Sequence, residues 1–371
     1  MLRQRPIYLR ITMLGLAFAA STFLIISSVN NAAPTASPEK VDITNVVLTN
    51  RSGDCADYSA SYQASVTDVN RNLPFLSDFV VSGDGNSCSV YSNDIPNYDF
   101  NDESAKFASP VATQELTVTI PRNPNLADEP TSLNKWTYNA IMLNGVFLDQ
   151  LSDGCYKPSA ESADPDGNVA AGCGLSSNWD LNPMGKVKFG TDSHNAHTQP
   201  GGLYHYHGNP LALFDPEETE QGSPVIGFAA DGFPIYGPHY LDSATGQMLT
   251  AKSGYTLKSG SRPETEGSPG GTYDGTYVQD YEFTKAGTLD ECNGMTVDGQ
   301  YGYYVTNDYP YVMGCYSGSP DKSFFKFWNI AKWIAIGVIV SLTLFTLLGV
   351  FIYRKIRSKK FAKSKLENLN D

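Results

Sequence analysis

Gly201-Gly202-Leu203-Tyr204-His205-Tyr206-His207-Gly208-Asn209-Pro210 alternates phenol and imidazole between a glycine pair and a turn. Side chains on a strand point to opposite faces in turn, so His205 and His207 share one face and Tyr204 and Tyr206 the other. All five histidines of the 371 residues fall between His194 and His239. The side chains that titrate near neutrality and commonly bind metals are therefore gathered in one window. The reading is a β-strand that carries chemistry on one face.

Two imidazoles two residues apart on a strand can grip one ion, and a zinc or copper site needs three or four donors. His197 is the expected third, because Gln199-Pro200-Gly201-Gly202 can fold it back beside the strand. His194 and His239 are each placed as a fourth ligand or as a group bonded to a ligand. Asp231 is expected to fix a ligand tautomer or to act as a catalytic base on a bound water. Imidazole serves several metals; copper is favoured over zinc because the neighbouring tyrosines suit one-electron chemistry, although their opposite direction argues against ligation. The competing reading is a sheet whose histidines are satisfied by carboxylates, in a non-catalytic binding or structural module. An open coordination position separates a catalytic ion from a structural one.

Outward from this window the chain reads as all-β, a β-sandwich-like ectodomain with long loops and disulfides. Val41 to Leu48 is expected to begin the first strand, with Phe79-Val80-Val81 and Leu116 to Ile120 as further β runs. Trp136 to Leu148 reads as strand, Asn-Gly turn and strand, and Gly227 to His239 as a strand broken by Asp231-Gly232. Asp164-Pro165-Asp166-Gly167-Asn168 has the alternating oxygens of a calcium loop without the later bidentate carboxylate, and an Asp-Gly turn explains it equally. Residues 252–275 look like an exposed loop. Gly299-Gln300-Tyr301-Gly302-Tyr303-Tyr304 repeats the glycine and both tyrosines of Gly202 to His207, with Gly302 and Tyr304 in place of the imidazoles. This reads either as a pseudo-repeat of two related β units, of which only the first kept ligands, or as chance agreement in a Tyr- and Gly-rich chain.

Both ends are apolar. Residues 1–33, with Arg3, Arg5 and Arg10 before the run from Ile11 to Ile26, read as a signal peptide, with an uncleaved anchor as the alternative. Residues 330–353 are long and apolar enough for a transmembrane helix, and the basic tail 354–371 stays cytoplasmic by the positive-inside rule. Residues 34–80 are an N-terminal β segment or spacer, 81–318 the central domain and 319–329 the juxtamembrane link. The expected topology is single-pass type I, with an extracellular or lumenal ectodomain and Asn50-Arg51-Ser52 as a glycosylation acceptor in a eukaryote.

Between residues 34 and 327 stand 15 Lys plus Arg against 37 Asp plus Glu, a balance that repels nucleic acid. The partner is an unspecified small molecule or surface molecule. No nucleophile elbow, Walker loop or dinucleotide fingerprint stands in a fitting context. Six cysteines in an oxidising compartment imply three disulfides; of the 15 possible connectivities, neighbour pairing (Cys55 with Cys88, Cys155 with Cys173, Cys292 with Cys315) closes one local loop each.

Gly-x-Tyr-His-Tyr-His-Gly-x-Pro followed by Ala229-Ala230-Asp231-Gly232-Phe233-Pro234-Ile235-Tyr236-Gly237-Pro238 resembles the YHYH domain family. The likeness runs from about Tyr91 through Leu143-Asn144-Gly145, Asn195-Ala196-His197 and Leu289 to Gly294, to Tyr309 to Cys315. It implies a secreted or membrane-tethered protein and lends no activity. Related chains often carry a histidine where this one has Tyr98, which puts any ligand role of that position in doubt.

Overall fold

The computed structural model describes residues 39–102, 104–174, 177–186, 189–218 and 220–327, with helical positions at 338, 341–343, 346, 349–351, 353–355 and 357. The expected signal peptide, most of the expected membrane span and the end of the basic tail lie outside the described residues. Among those described, no helix is long and apolar enough to cross a membrane. From Lys40 onward the chain forms one compact unit.

Strands dominate, as the alternation requires. A five-stranded sheet runs β1 (Val41–Asp42), β2 (Ala60–Asp68), β3 (Leu73–Gly83), β4 (Ser87–Ser92), β5 (Leu116–Pro121) in sequence order. In β5, Val118 and Ile120 are buried while Thr117 is exposed and Thr119 half-buried, the period-2 pattern of a strand with one face on a core. Phe79, Val81, Val90 and Ile120 from this sheet meet Ile141, Met142 and Phe228 from the second. One hydrophobic core therefore joins both sheets. The first strand is shorter than expected: Asn45 turns the chain in the left-handed region (φ 56°) and the ladder ends at Asp42. Trp136 to Asn139 likewise precede the strand they were expected to share.

The second sheet has eight strands, β6 (Ala140–Met142), β7 (Phe147–Leu148), β8 (Ala196–Thr198), β9 (Tyr204–Tyr206), β10 (Val225–Ala229), β11 (Pro234–Tyr236), β12 (Gly294–Val297) and β13 (Gln300–Tyr304). Their spatial order is β8-β9-β7-β6-β10-β11-β13-β12. Each half is a hairpin (β6-β7; β10-β11) whose second strand pairs in parallel with the second strand of a later hairpin (β8-β9; β12-β13). The halves meet where Ile141 pairs with Phe228, flanked by Met142 with Gly227 and Ala140 with Ala229. This is the pairing expected of a pseudo-two-fold axis, and the repeat read from Gly299 to Tyr304 is carried by the whole sheet.

Hydrogen bonds repeat with the topology. Asn195 and Asn293 both take left-handed φ (64° and 67°), and their carbonyls accept from His207 and Tyr304 backbone N–H, each at 3.0 Å. Asp192 and Asp290 accept from the hydroxyls of Tyr204 (2.7 Å) and Tyr301 (2.9 Å). Asn144 and Asp231, at the two hairpin turns, hold the hydroxyls of Tyr206 (3.1 Å) and Tyr303 (2.5 Å).

The three disulfides pair neighbours as expected, Cys55 with Cys88, Cys155 with Cys173 and Cys292 with Cys315. Residues 252–275 are mostly exposed or half-buried and irregular, as a loop reading expects, apart from a short strand at Tyr255–Leu257. Within them Arg262 is buried between Asp274 and Asp280, both at 2.5 Å, over the ring of Tyr277.

Candidate metal centre

His205 stands at the middle of β9, directly across from His197 on the antiparallel β8, and His207 follows two residues on. The Gln199-to-Leu203 turn closes this hairpin, with Gly202 at φ 81° pressed against Pro110 and Ala112, where a Cβ would meet atoms at 2.7 Å. Ring nitrogens of His197, His205 and His207, one from each, lie within 4.8 Å of one another. The Nε2 of His207 is 3.1 Å from that of His205 and 2.9 Å from that of His197.

The other nitrogens decide what these short distances mean. Each Nδ1 faces a backbone carbonyl: His197 that of Phe189 at 2.7 Å, His207 that of Gln150 at 3.3 Å, His205 that of Leu203 at 3.4 Å. A carbonyl only accepts, so each Nδ1 carries the ring proton and each Nε2 a lone pair. Burial pushes all three imidazoles below their usual pKa, His205 and His207 well below, and for those two the neighbouring rings add to the effect. Neutral rings with three converging lone pairs have no proton to share between them. A cation resolves that arrangement: at a metal–nitrogen distance of about 2.0–2.1 Å, tetrahedral ligands stand about 3.3 Å apart. The group can hold a metal ion.

His205 and His207 are buried and His197 is half-buried, so solvent reaches the group from the His197 side. Beside His207 a small cleft of about 30 Å³ is lined by Gln150, Asn182, Tyr309, Tyr311 and Met313.

The remaining candidates lie elsewhere. His194 packs against Tyr98 with the rings tilted, their centroids 4.0 Å apart. His239 is engaged by Thr250 Oγ1 (3.1 Å) and the Pro216 carbonyl (2.8 Å). Asp231 accepts from Tyr303 Oη, Gly318 N (2.9 Å) and Phe233 N (3.4 Å), so its carboxylate serves the second half of the sheet and no imidazole. Asp164 turns its oxygens on Asp166 N, Asn168 N and Asn168 Nδ2, an Asx turn in place of a calcium loop.

Tyr204 and Tyr206 sit on the opposite face, and Tyr98 joins them at 3.2 and 2.5 Å. Asn144 donates to Tyr206, which leaves that hydroxyl to donate to Tyr98, Tyr98 to Tyr204, and Tyr204 to Asp192. Position 98 thus belongs to the phenol face, away from the three imidazoles of the candidate site. Two residues that no sequence pattern singled out stand beside β9: Asp149, which follows β7 and whose N–H donates to the Tyr206 carbonyl at 3.0 Å, and Lys326, whose charge further lowers the pKa of His205 and His207.

The profile of the YHYH protein family matches residues 117–318, more than half of the chain. The chain belongs to the YHYH protein family. The match takes in the whole eight-stranded sheet of this YHYH protein, both imidazole and phenol faces included. No curated protein and no solved structure matches it.

Proposed function

We propose that this YHYH protein is a single-pass membrane protein whose extracytosolic domain binds one transition metal, copper or zinc, through His197, His205 and His207. The observation that carries the reading is the convergence of three Nε2 lone pairs, each ring held by a carbonyl at its Nδ1. Three protein donors with one solvent-facing side are the pattern of an ion that keeps an open position, the pattern used for metal-dependent catalysis on a small molecule. Membrane attachment is supported by the apolar run 330–353 and by Trp136, Phe325 and Phe327, which form an exposed aromatic patch just before it. Asn50 in its acceptor sequence is exposed.

Metal analysis of the purified protein tests the reading. The expected content is about one ion per chain, lost in the double variant His205→Ala with His207→Ala while the fold survives, because a single remaining donor cannot hold the ion against water. Equal metal content in the two proteins, or a wild-type chain that takes up neither copper nor zinc, refutes it.

A further inference from the structure

The two halves of the eight-stranded sheet allow each position of the metal centre to be compared with its counterpart in the same chain. Scaffold positions agree across the axis: Gly202 with Gly299, Tyr204 with Tyr301, Tyr206 with Tyr303, Asp192 with Asp290 and Asn195 with Asn293. The ligands do not. His197, His205 and His207 correspond to Met295, Gly302 and Tyr304.

A fourth buried position diverges with them. Asp149 N donates to the Tyr206 carbonyl at 3.0 Å, which continues the parallel ladder and sets Asp149 beside His207. Its counterpart, paired with Tyr304, is Tyr236. In the second half the Tyr236 ring stacks on Tyr304 at 5.0 Å and fills the space above Gly302, where a Cβ would meet it at 2.5 Å. Aromatic rings thus occupy in one half what imidazoles and a carboxylate hold in the other.

Asp149 is 3 % exposed, an unusual place for an acid unless a partner needs it. Lys326 Nζ satisfies Oδ2 at 2.5 Å, and Oδ1 is buried without a partner. The carboxylate stands outside the group of nitrogens that lie within 4.8 Å of one another. Asp149 is thus no fourth ligand of that group, and any role for it at the ion has to run through a water.

We infer that Asp149 is the positioning residue of the metal centre, its free Oδ1 accepting a hydrogen bond from a water on the ion's fourth position while Lys326 holds the carboxylate in place. The inference rests on the proposed metal binding. Carboxylates of this kind orient what the ion carries, and their removal typically weakens binding by about 10–100-fold.

The experiment loads the full-length protein with cobalt(II) and records its visible spectrum and its affinity against a competing chelator. Wild type, Asp149→Asn, Asp149→Glu and Asp149→Asn with Lys326→Met are compared. Asp149→Asn is expected to keep one cobalt per chain with an altered ligand-field band and about 10-fold weaker binding. Asp149→Glu should recover part of both. The double variant, which leaves no unpaired cation, should keep the altered band; if the asparagine variant fails to fold, it reports in its place. An unchanged spectrum and affinity in either asparagine protein overturns the role of Asp149 while leaving metal binding intact. Recovery of the wild-type band in the double variant also overturns it, since the unpaired lysine alone would then be the cause. A wild type that takes up no cobalt, zinc or copper removes the metal reading and this inference together.

Discussion

Asp231 and Asn144 occupy corresponding hairpin turns, and the comparison assigns Asp231 a structural task. Both use Oδ1 to accept a backbone N–H two residues on, Phe233 or Val146, and both meet a buried tyrosine hydroxyl with the other atom. Asp231 differs in also accepting Gly318 N–H. Asp231→Asn would aim an amide donor at that N–H, and the protein should lose about 1–3 kcal/mol of stability with its metal content unchanged. Burial raises the Asp231 pKa above that of the unfolded chain, so the folded form holds this proton more tightly. The carboxyl's contribution is therefore full below about pH 3.9 and is lost as pH rises through the folded pKa. The deficit of Asp231→Asn, read by urea unfolding at a series of pH values, should be largest near pH 4 and shrink toward pH 7. A constant deficit would mean that Asp231 stays ionised throughout.

At the scale of the element, β9 and β13 show how one strand pattern serves two ends. Both present tyrosines to the core through the alternation of the pleat. On the other face β9 carries imidazoles, whereas β13 has Gly302, over which Tyr236 lies. Gly302→Ala would push a methyl into that ring and should lower stability by about 1–3 kcal/mol in a thermal melt. His205→Ala, at the matching place in β9, removes atoms without creating a clash, and its main effect should fall on metal content. A Gly302→Ala protein with wild-type stability would show that the Tyr236 ring moves freely.

For the whole molecule, the strand-rich unit from Lys40 holds three disulfides and one core, and the single-pass topology proposed for the chain can be tested by labelling. With intact cells, a tag inserted after the proposed signal peptide should be accessible from outside or from the lumen, and a tag after Asp371 only once the membrane is permeabilised. The basic residues after Tyr353 set that direction. The reverse labelling pattern would overturn the topology and leave the metal centre untouched.

The sequence by itself determined whatever depends on short-range periodicity. Tyr204 to His207 could be assigned opposite faces because a strand's period is two, the Asn144-Gly145 turn had a local signature, and the all-β class followed from turn residues set between alternating runs. The metal triad was legible because His197 lies one hairpin away from His205. The echo at Gly299 to Tyr304 was legible too, since the repeat preserved its tyrosines. Only the tertiary structure decided the rest. Asp149 bonds the Tyr206 carbonyl, next to His207, through a parallel pairing of strands more than fifty residues apart, and Lys326 reaches Asp149 from the far end of the domain. Parallel strands need a long crossover, so no local spacing announces such partners. The same reason removed His194, His239 and Asp231 from the centre: closeness along the chain brought them into the histidine window, but the direction of each backbone segment sent their side chains to Tyr98, Thr250 and Tyr303.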